Sequence, residues 1–421
     1  MRIQSNYAIK QTPYFGANII DSHGHSGVKE SKWNNAPFPS NTLDEFIKQP
    51  LTININGKIQ TDNVKKVLVS SIDGLSWAEK QQKEVEASGR NRFNLKPEEL
   101  IFEKDEIQAN IDMINKHKEN PIYEVMAVCQ PTKTKGKADN IRKLIKENEG
   151  IIAGLKFHPQ GLMLNADSKL YDDYLNLAAE KKLPVLFHSQ VSINYDLAEP
   201  LKELNWSDPE YIYKLAKRHP DVPVILGHTG AGGAVAHNKA INILMQSIEN
   251  NDAKLYAEIS WMDFVNGEQS RYPESILNLI EKLKRKNCLD RILFGTDAPL
   301  GCYGERLVHD KNGRQISAKQ SYENTIGRIK SAIENKFGDE SESIINKIFY
   351  DNADELFFKK HWAHLNHTDS PATSDTIKEG AKKLSKTKLA CYITACIAIV
   401  GAAAYILTKT PLAKKIANKS K

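Results

Sequence analysis

The sequence predicts an α/β protein: a (β/α)8 barrel with long βα loops, followed by a polar linker and one C-terminal transmembrane helix. Two patterns carry the barrel. Eight short apolar runs alternate with longer amphipathic stretches, and four of the runs end on residues of metal-ligand type. A third pattern carries the helix, an uncharged stretch of nineteen residues from Leu389 to Leu407 with lysines on both flanks.

The apolar runs lie at 17–23, 66–72, 122–129, 151–158, 184–188, 222–228, 254–260 and 291–297. Several are rich in Val, Ile and Leu with little alternation, as expected of parallel strands covered on both faces. Between them, amphipathic stretches predict helices at 98–118, 139–148, 168–182, 208–218, 236–250, 273–287 and 320–335. This βαβα period belongs to a parallel sheet with crossover helices, and eight such units close a barrel more naturally than they extend an open sheet. Two connections are long and read as structureless: Ser26 to Asn63 after the first strand and Gly74 to Pro97 after the second. In a barrel both rise over the C-terminal face, where substrate sits; packing ornaments and subunit contacts are the other reading of such length.

The barrel domain is expected over 1–360, a polar and Lys-rich linker over 361–388, the transmembrane helix over 389–407 and a basic tail over 408–421. A helix needs about 20 apolar residues to cross the hydrocarbon layer. Lys386 and Lys388 before the run and Lys409 after it can anchor both ends, and a segment behind a polar linker has no core of its own to join. Thr394, Ala398 and Ala402 form a small-residue stripe through which two copies of the chain could pair as a homodimer.

Hydrophobic residues make up 40% and charged residues 26% of the chain, which argues against general disorder. The net charge of +6 is uneven: residues 371–421 hold ten Lys and two acidic residues, so the rest is slightly acidic. That distribution points to a membrane surface and away from DNA or RNA. Cys129, Cys288, Cys302, Cys391 and Cys396 form no CxxC and no regular framework, which excludes disulfide architecture. The first eleven residues are polar and contain no apolar signal region, so the barrel is expected on the cytoplasmic side of its membrane.

The first run ends on Asp21-Ser22-His23-Gly24-His25. On an extended chain Asp21, His23 and His25 share a face, and two imidazoles so spaced can reach one metal ion. Three later runs end in the same way, on His188, on Gly227-His228 and on Gly295-Thr296-Asp297. A barrel gathers all its strand ends around one axis, so residues far apart in sequence converge there. In the fourth strand Gly154, Lys156 and His158 share a face by the period-2 rule. Glu258 and Trp261, near the end of the seventh, read as support or packing, and His117, His219 and His237 as surface histidines.

With these motifs the chain resembles the amidohydrolase superfamily, specifically the amidohydrolase-related branch that includes aminocarboxymuconate-semialdehyde decarboxylase. The resemblance runs from about Asn18 to Phe358, where Asp351-Asn352-Ala353-Asp354-Glu355-Leu356-Phe357 is similar to the family's closing N-A-x-x-L-F helix. It implies that His23, His25, His188 and Asp297 ligate one divalent metal ion, zinc by the softness of the donor set, with His228 catalytic. It further implies hydrolysis of a C–N or C–O bond in a small molecule. Asp297 would shuttle the proton of a metal-activated water, and His228 would stabilise the oxyanion. Non-oxidative decarboxylation with the same metal shell is the alternative, and a catalytically silent, membrane-tethered scaffold a third reading. Lys156 and His158 are candidates for holding an anionic part of the substrate; a carboxylated Lys156 bridging two metals, as in other branches, is the competing reading.

Overall fold

The computed structural model describes residues 17–360, apart from 34–35, 39–41, 90–94, 132–136, 192–205, 263, 266–267, 270–272 and 301–315. The chain divides into two units, Met1–Leu365 and Asn366–Lys421, and the second lies outside the described residues. The segment 389–407 therefore lies outside them as well, as do the linker from 361 and the tail. Among the described residues no helix is long and apolar enough to cross a membrane.

Eight strands form one parallel sheet in chain order: β1 Asn18–Ser26, β2 Lys58–Ser71, β3 Tyr123–Val128, β4 Ile152–Phe157, β5 Val185–Gln190, β6 Pro223–Ala231, β7 Lys254–Glu258 and β8 Ile292–Leu293. Backbone bonds from Ser22 to Phe294, from Asp297 to His23 and from His25 to Ala298 join β1 to the chain beyond β8, which closes the sheet on itself. One interior position comes from each strand: Ile20, Leu68, Met126, Ala153, Leu186, Ile225, Tyr256 and Leu293 pack as a single buried cluster. Their neighbours along the strands, such as Val67, Val125, Ile152, Val185 and Leu226, face the surrounding helices instead. Parallel strands buried on both faces are what the near-continuous apolar runs encode.

The closing motif has a physical explanation. Asn352 Nδ2 donates to the carbonyls of Leu289 and Ile292, at 2.8 Å each, which pins the C-terminal helical segment beneath β8. Ala353, Leu356 and Phe357 then plug the floor of the barrel against the interior cluster.

Several expectations are corrected. The connection after β1 is not structureless: it holds helix Thr42–Ile47 and strand Leu51–Ile55, which pairs antiparallel with an extended β2. Asn56 and Gly57, both at positive φ, make the two-residue hairpin turn, a conformation that Asn-Gly favours. The connection after β2 contains helix Glu79–Ala87. The helix expected from 98 starts only at Glu106, because the Asp105 side chain accepts from the amides of Ile107 and Gln108 and caps it there.

Asp21 does not share the direction of His23 and His25. The β1–β2 register shifts between Asp21 and Gly24, so the Asp21 carboxylate instead takes Thr296 Oγ1 at 2.6 Å and Tyr322 OH at 3.1 Å. His117 and His237 are buried, not surface residues: His117 Nε2 meets Ser26 Oγ at 2.9 Å, and His237 Nδ1 faces the Thr229 carbonyl at 3.1 Å.

Candidate metal centre

Interior positions one step above the apolar layer turn polar. Along β5 the inward face reads Leu186, His188, Gln190; along β7 and just beyond, Tyr256, Glu258, Ser260; past β8, Leu293, Gly295, Asp297. This C-terminal end of the barrel gathers His23, His25, Lys156, His188, His228, Glu258 and Asp297. The backbone there is unusual, since His228, Thr229, Trp261 and Asp297 all have positive φ, between 42° and 62°. Non-glycine residues in that region cost on the order of 1–3 kcal/mol each, and such strain concentrates at functional sites.

Two groups of ligand-type atoms lie within 4.8 Å of one another: His23, His25 and Asp297, and His23, His228 and Glu258. Asp297 Oδ1 stands 2.9 Å from His25 Nε2 and 3.3 Å from His23 Nε2. Its other oxygen, Oδ2, accepts from Trp261 Nε1 at 2.8 Å.

Whether these residues suit a divalent cation depends on which nitrogens are free. His23 Nδ1 is tied to Glu258 Oε2 at 2.7 Å, and His25 Nδ1 to Ser70 Oγ at 3.0 Å. Both outer nitrogens being engaged, both Nε2 atoms turn toward Asp297. An imidazole that donates its far N–H to the protein presents a lone pair on the near nitrogen, the form a metal ligand requires. The donor set fits one such ion.

His188 belongs to neither group. Its Nδ1 lies 3.1 Å from His228 Nε2, and its Nε2 is 3.1 Å from Gln190 Oε1. Lys156 Nζ, fully buried, approaches His23 Nε2 at 2.8 Å. His158 stacks on His188 with ring centroids 4.2 Å apart, while its Nδ1 accepts from the Gly161 amide at 2.8 Å.

The electrostatics follow from burial. Desolvation lowers His25 and His188 to about 4, and pushes His158 and His228 well below the usual imidazole range. Burial works to raise the Asp297 carboxyl, but His228, His25 and His23 outweigh it and hold the group ionised. Desolvation lowers Lys156 to about 8, against the pull of Asp297 and Glu258, which leaves it mostly an ammonium at pH 7.

Sequence reasoning set aside two groups that touch the site, Glu258 and Trp261, and missed a third, Ser70. For Glu258 a signal existed, a carboxylate ending an apolar strand, the same pattern that singled out His188 and Asp297. Ser70 carries none, because a serine at a strand end is too common.

A family profile described as amidohydrolase matches residues 105–359, more than half of the chain, beginning after β2. No curated protein matches. Among solved structures, 2,6-dihydroxybenzoate decarboxylase from Rhizobium shares 12% identity over 81% of this chain and 98% of its own, with a TM-score of 0.46. The 5-carboxyvanillate decarboxylase of Novosphingobium aromaticivorans, complexed with manganese, shares 12% identity over 81% and 96%, also at 0.46. A dihydroxybenzoic acid decarboxylase of Polaromonas sp. JS666 with bound manganese shares 13% identity over 84% and 99%, again at 0.46. Likeness at this level carries no functional argument. The profile match shows the family: the chain belongs to the amidohydrolases.

Proposed function

We propose that the chain is a metal-dependent enzyme that removes a carboxyl group from a small carboxylic acid without oxidation. The observation that carries this reading is Lys156, a buried lysine whose Nζ lies 2.8 Å from His23 Nε2, at the same strand ends as the His23, His25 and Asp297 cluster. A cation there offers a carboxylate the charge partner that burial otherwise denies it. The names of the manganese-bound decarboxylases agree with this reading without carrying it.

His23, His25 and Asp297 would hold one divalent ion, zinc or manganese, with His188 and His228 paired beside them. When bound, such an ion supplies Lewis acidity beside the substrate oxygens. Lys156, with His158 at the edge of the site, orients the carboxylate. The C–C bond breaks, its electron pair stays on the substrate carbon, CO2 leaves and a proton must arrive at that carbon. His228 and Asp297 are the groups placed to manage that proton.

Hydrolysis of a C–N or C–O bond is the second reading, and Asp297 favours it. An ionised carboxylate amid ligand-type nitrogens can take a proton from water and return it to a leaving group, while His228, once protonated, donates to the developing oxyanion. The two are separated by incubating the metal-loaded chain with a panel of small aromatic and unsaturated acids, amides and lactones. The expected result is CO2 release from an acid, falling at least ~10²-fold in Lys156→Met, a loss within the range of a positioned catalytic group. Cleavage of an amide or lactone with no CO2 from any acid would overturn the first reading in favour of the second.

The membrane tether is also proposed, on the uncharged run 389–407 and its flanking lysines. The full chain should stay with membranes after alkaline carbonate extraction, and a chain lacking 385–421 should not. Recovery of the full chain in the soluble fraction would end that claim, and protease protection of the barrel in inverted vesicles would end its cytoplasmic placement.

A further inference from the structure

We propose that Glu258 and Ser260 are positioning residues that fix the tautomers of His23 and His228 together. The inference rests on reading the His23, His25 and Asp297 cluster as a metal site.

The Glu258 side chain is fully buried and spends both oxygens as acceptors. Its Oε2 takes His23 Nδ1 at 2.7 Å, Ser260 Oγ at 2.8 Å and the His228 amide at 3.0 Å; its Oε1 takes the Ser260 amide at 2.6 Å. Space for it exists only because residue 295 is Gly, where a Cβ would collide with Glu258 Oε1 and lie 2.9 Å from His23 Cβ.

The proton count is then determined. The single hydroxyl proton of Ser260 goes to Glu258, so Ser260 Oγ can only accept from His228 Nδ1, 2.7 Å away. His228 therefore carries its proton on Nδ1 and presents a lone pair on Nε2 to His188 Nδ1, which donates; His188 Nε2 then accepts, so the Gln190 side chain must turn its NH2 group toward it. His23 likewise donates from Nδ1 to Glu258 and presents Nε2 to the cluster. One carboxylate on β7 thus sets which nitrogen is unprotonated on a proposed metal ligand from β1 and on a proposed catalytic group from β6.

An amide cannot replace this carboxylate. Glutamine has one accepting oxygen, so its NH2 group must face either the Ser260 amide or the His23, Ser260 and His228 donors. Glu258→Gln keeps size and shape, which separates the hydrogen-bonding role from packing.

The test uses the full chain with zinc as the probe, at one fixed pH. Zinc affinity is measured by competition with a chromophoric chelator, and the His228 tautomer by long-range 15N–1H correlation of histidine-labelled protein. In wild type the His228 signal should be that of the Nδ1–H form. Glu258→Gln should weaken zinc binding ~10–100-fold, the usual cost of removing a partner behind a ligating histidine. Ser260→Ala should change zinc affinity less than about twofold, since no proposed ligand loses its partner, yet remove the preference of His228 for the Nδ1–H form. A wild-type His228 protonated on Nε2, or Glu258→Gln binding zinc as wild type does, would overturn the proposal. Failure of the wild type to bind zinc would instead count against the metal site, and the wild-type tautomer would still decide the inference.

Discussion

Asp297→Asn should lower turnover by at least ~10³-fold, within the range for losing a positioned acid–base group, while the barrel stays folded. The substitution is nearly isosteric, and the Trp261 indole at 2.8 Å can still donate to the amide oxygen. What disappears is the charge. Asp297 Oδ1 faces two imidazole nitrogens at 2.9 and 3.3 Å, and an amide there neither compensates a divalent cation nor moves a proton. His23→Ala should also weaken metal binding, because it removes the Nε2 that faces Asp297 at 3.3 Å. Stopped assays with any accepted substrate, together with thermal melting, measure both. Wild-type turnover in both variants would place the chemistry elsewhere.

Lys330→Met should be the most destabilising single change outside the site, by about 3–5 kcal/mol, the cost of leaving one partner of a buried ion pair uncompensated. Lys330 Nζ and Asp62 Oδ2 are 2.5 Å apart and both side chains are fully buried. They join helix Ala318–Phe337 to the hairpin extension of β2. Asp62 also accepts from the Ala17 amide and from Gln60 Nε2, so its charge stays buried after Lys330 is lost. Denaturant unfolding of Lys330→Met beside the double variant with Asp62→Leu checks the cause. The double variant should recover much of the loss, because apolar replacements of a buried pair are close to neutral. A double variant as unstable as the single one would point to packing instead.

The barrel was legible because its signals are local and repeated. Each strand is a short apolar run, each is followed by a helix period, and closure needs nothing beyond eight of them. The ends of β1, β5, β6 and β8 were legible for the same reason: a His or Asp terminating an apolar run stands out against it. What stayed hidden depends on partners distant in sequence. Asp21 obeys the strand period in the sequence but leaves the site through a register shift. His117 and His237 sit on amphipathic helices, yet their buried partners, Ser26 and the Thr229 carbonyl, come from the ends of β1 and β6. The hairpin turn at Asn56-Gly57 is the converse, a short-range signal strong enough to read that long-loop reasoning passed over. Glu258 was set aside because one carboxylate at a strand end supports many readings, and only its four hydrogen bonds narrow them.

The central claim is that strand ends separated by most of the chain hold a single metal ion. Anomalous diffraction from crystals of the barrel-containing chain grown with zinc tests it most directly. One zinc peak per chain is expected, bonded to His23 Nε2, His25 Nε2 and Asp297. Two peaks bridged at Lys156, or a zinc bound away from these three residues, would contradict it.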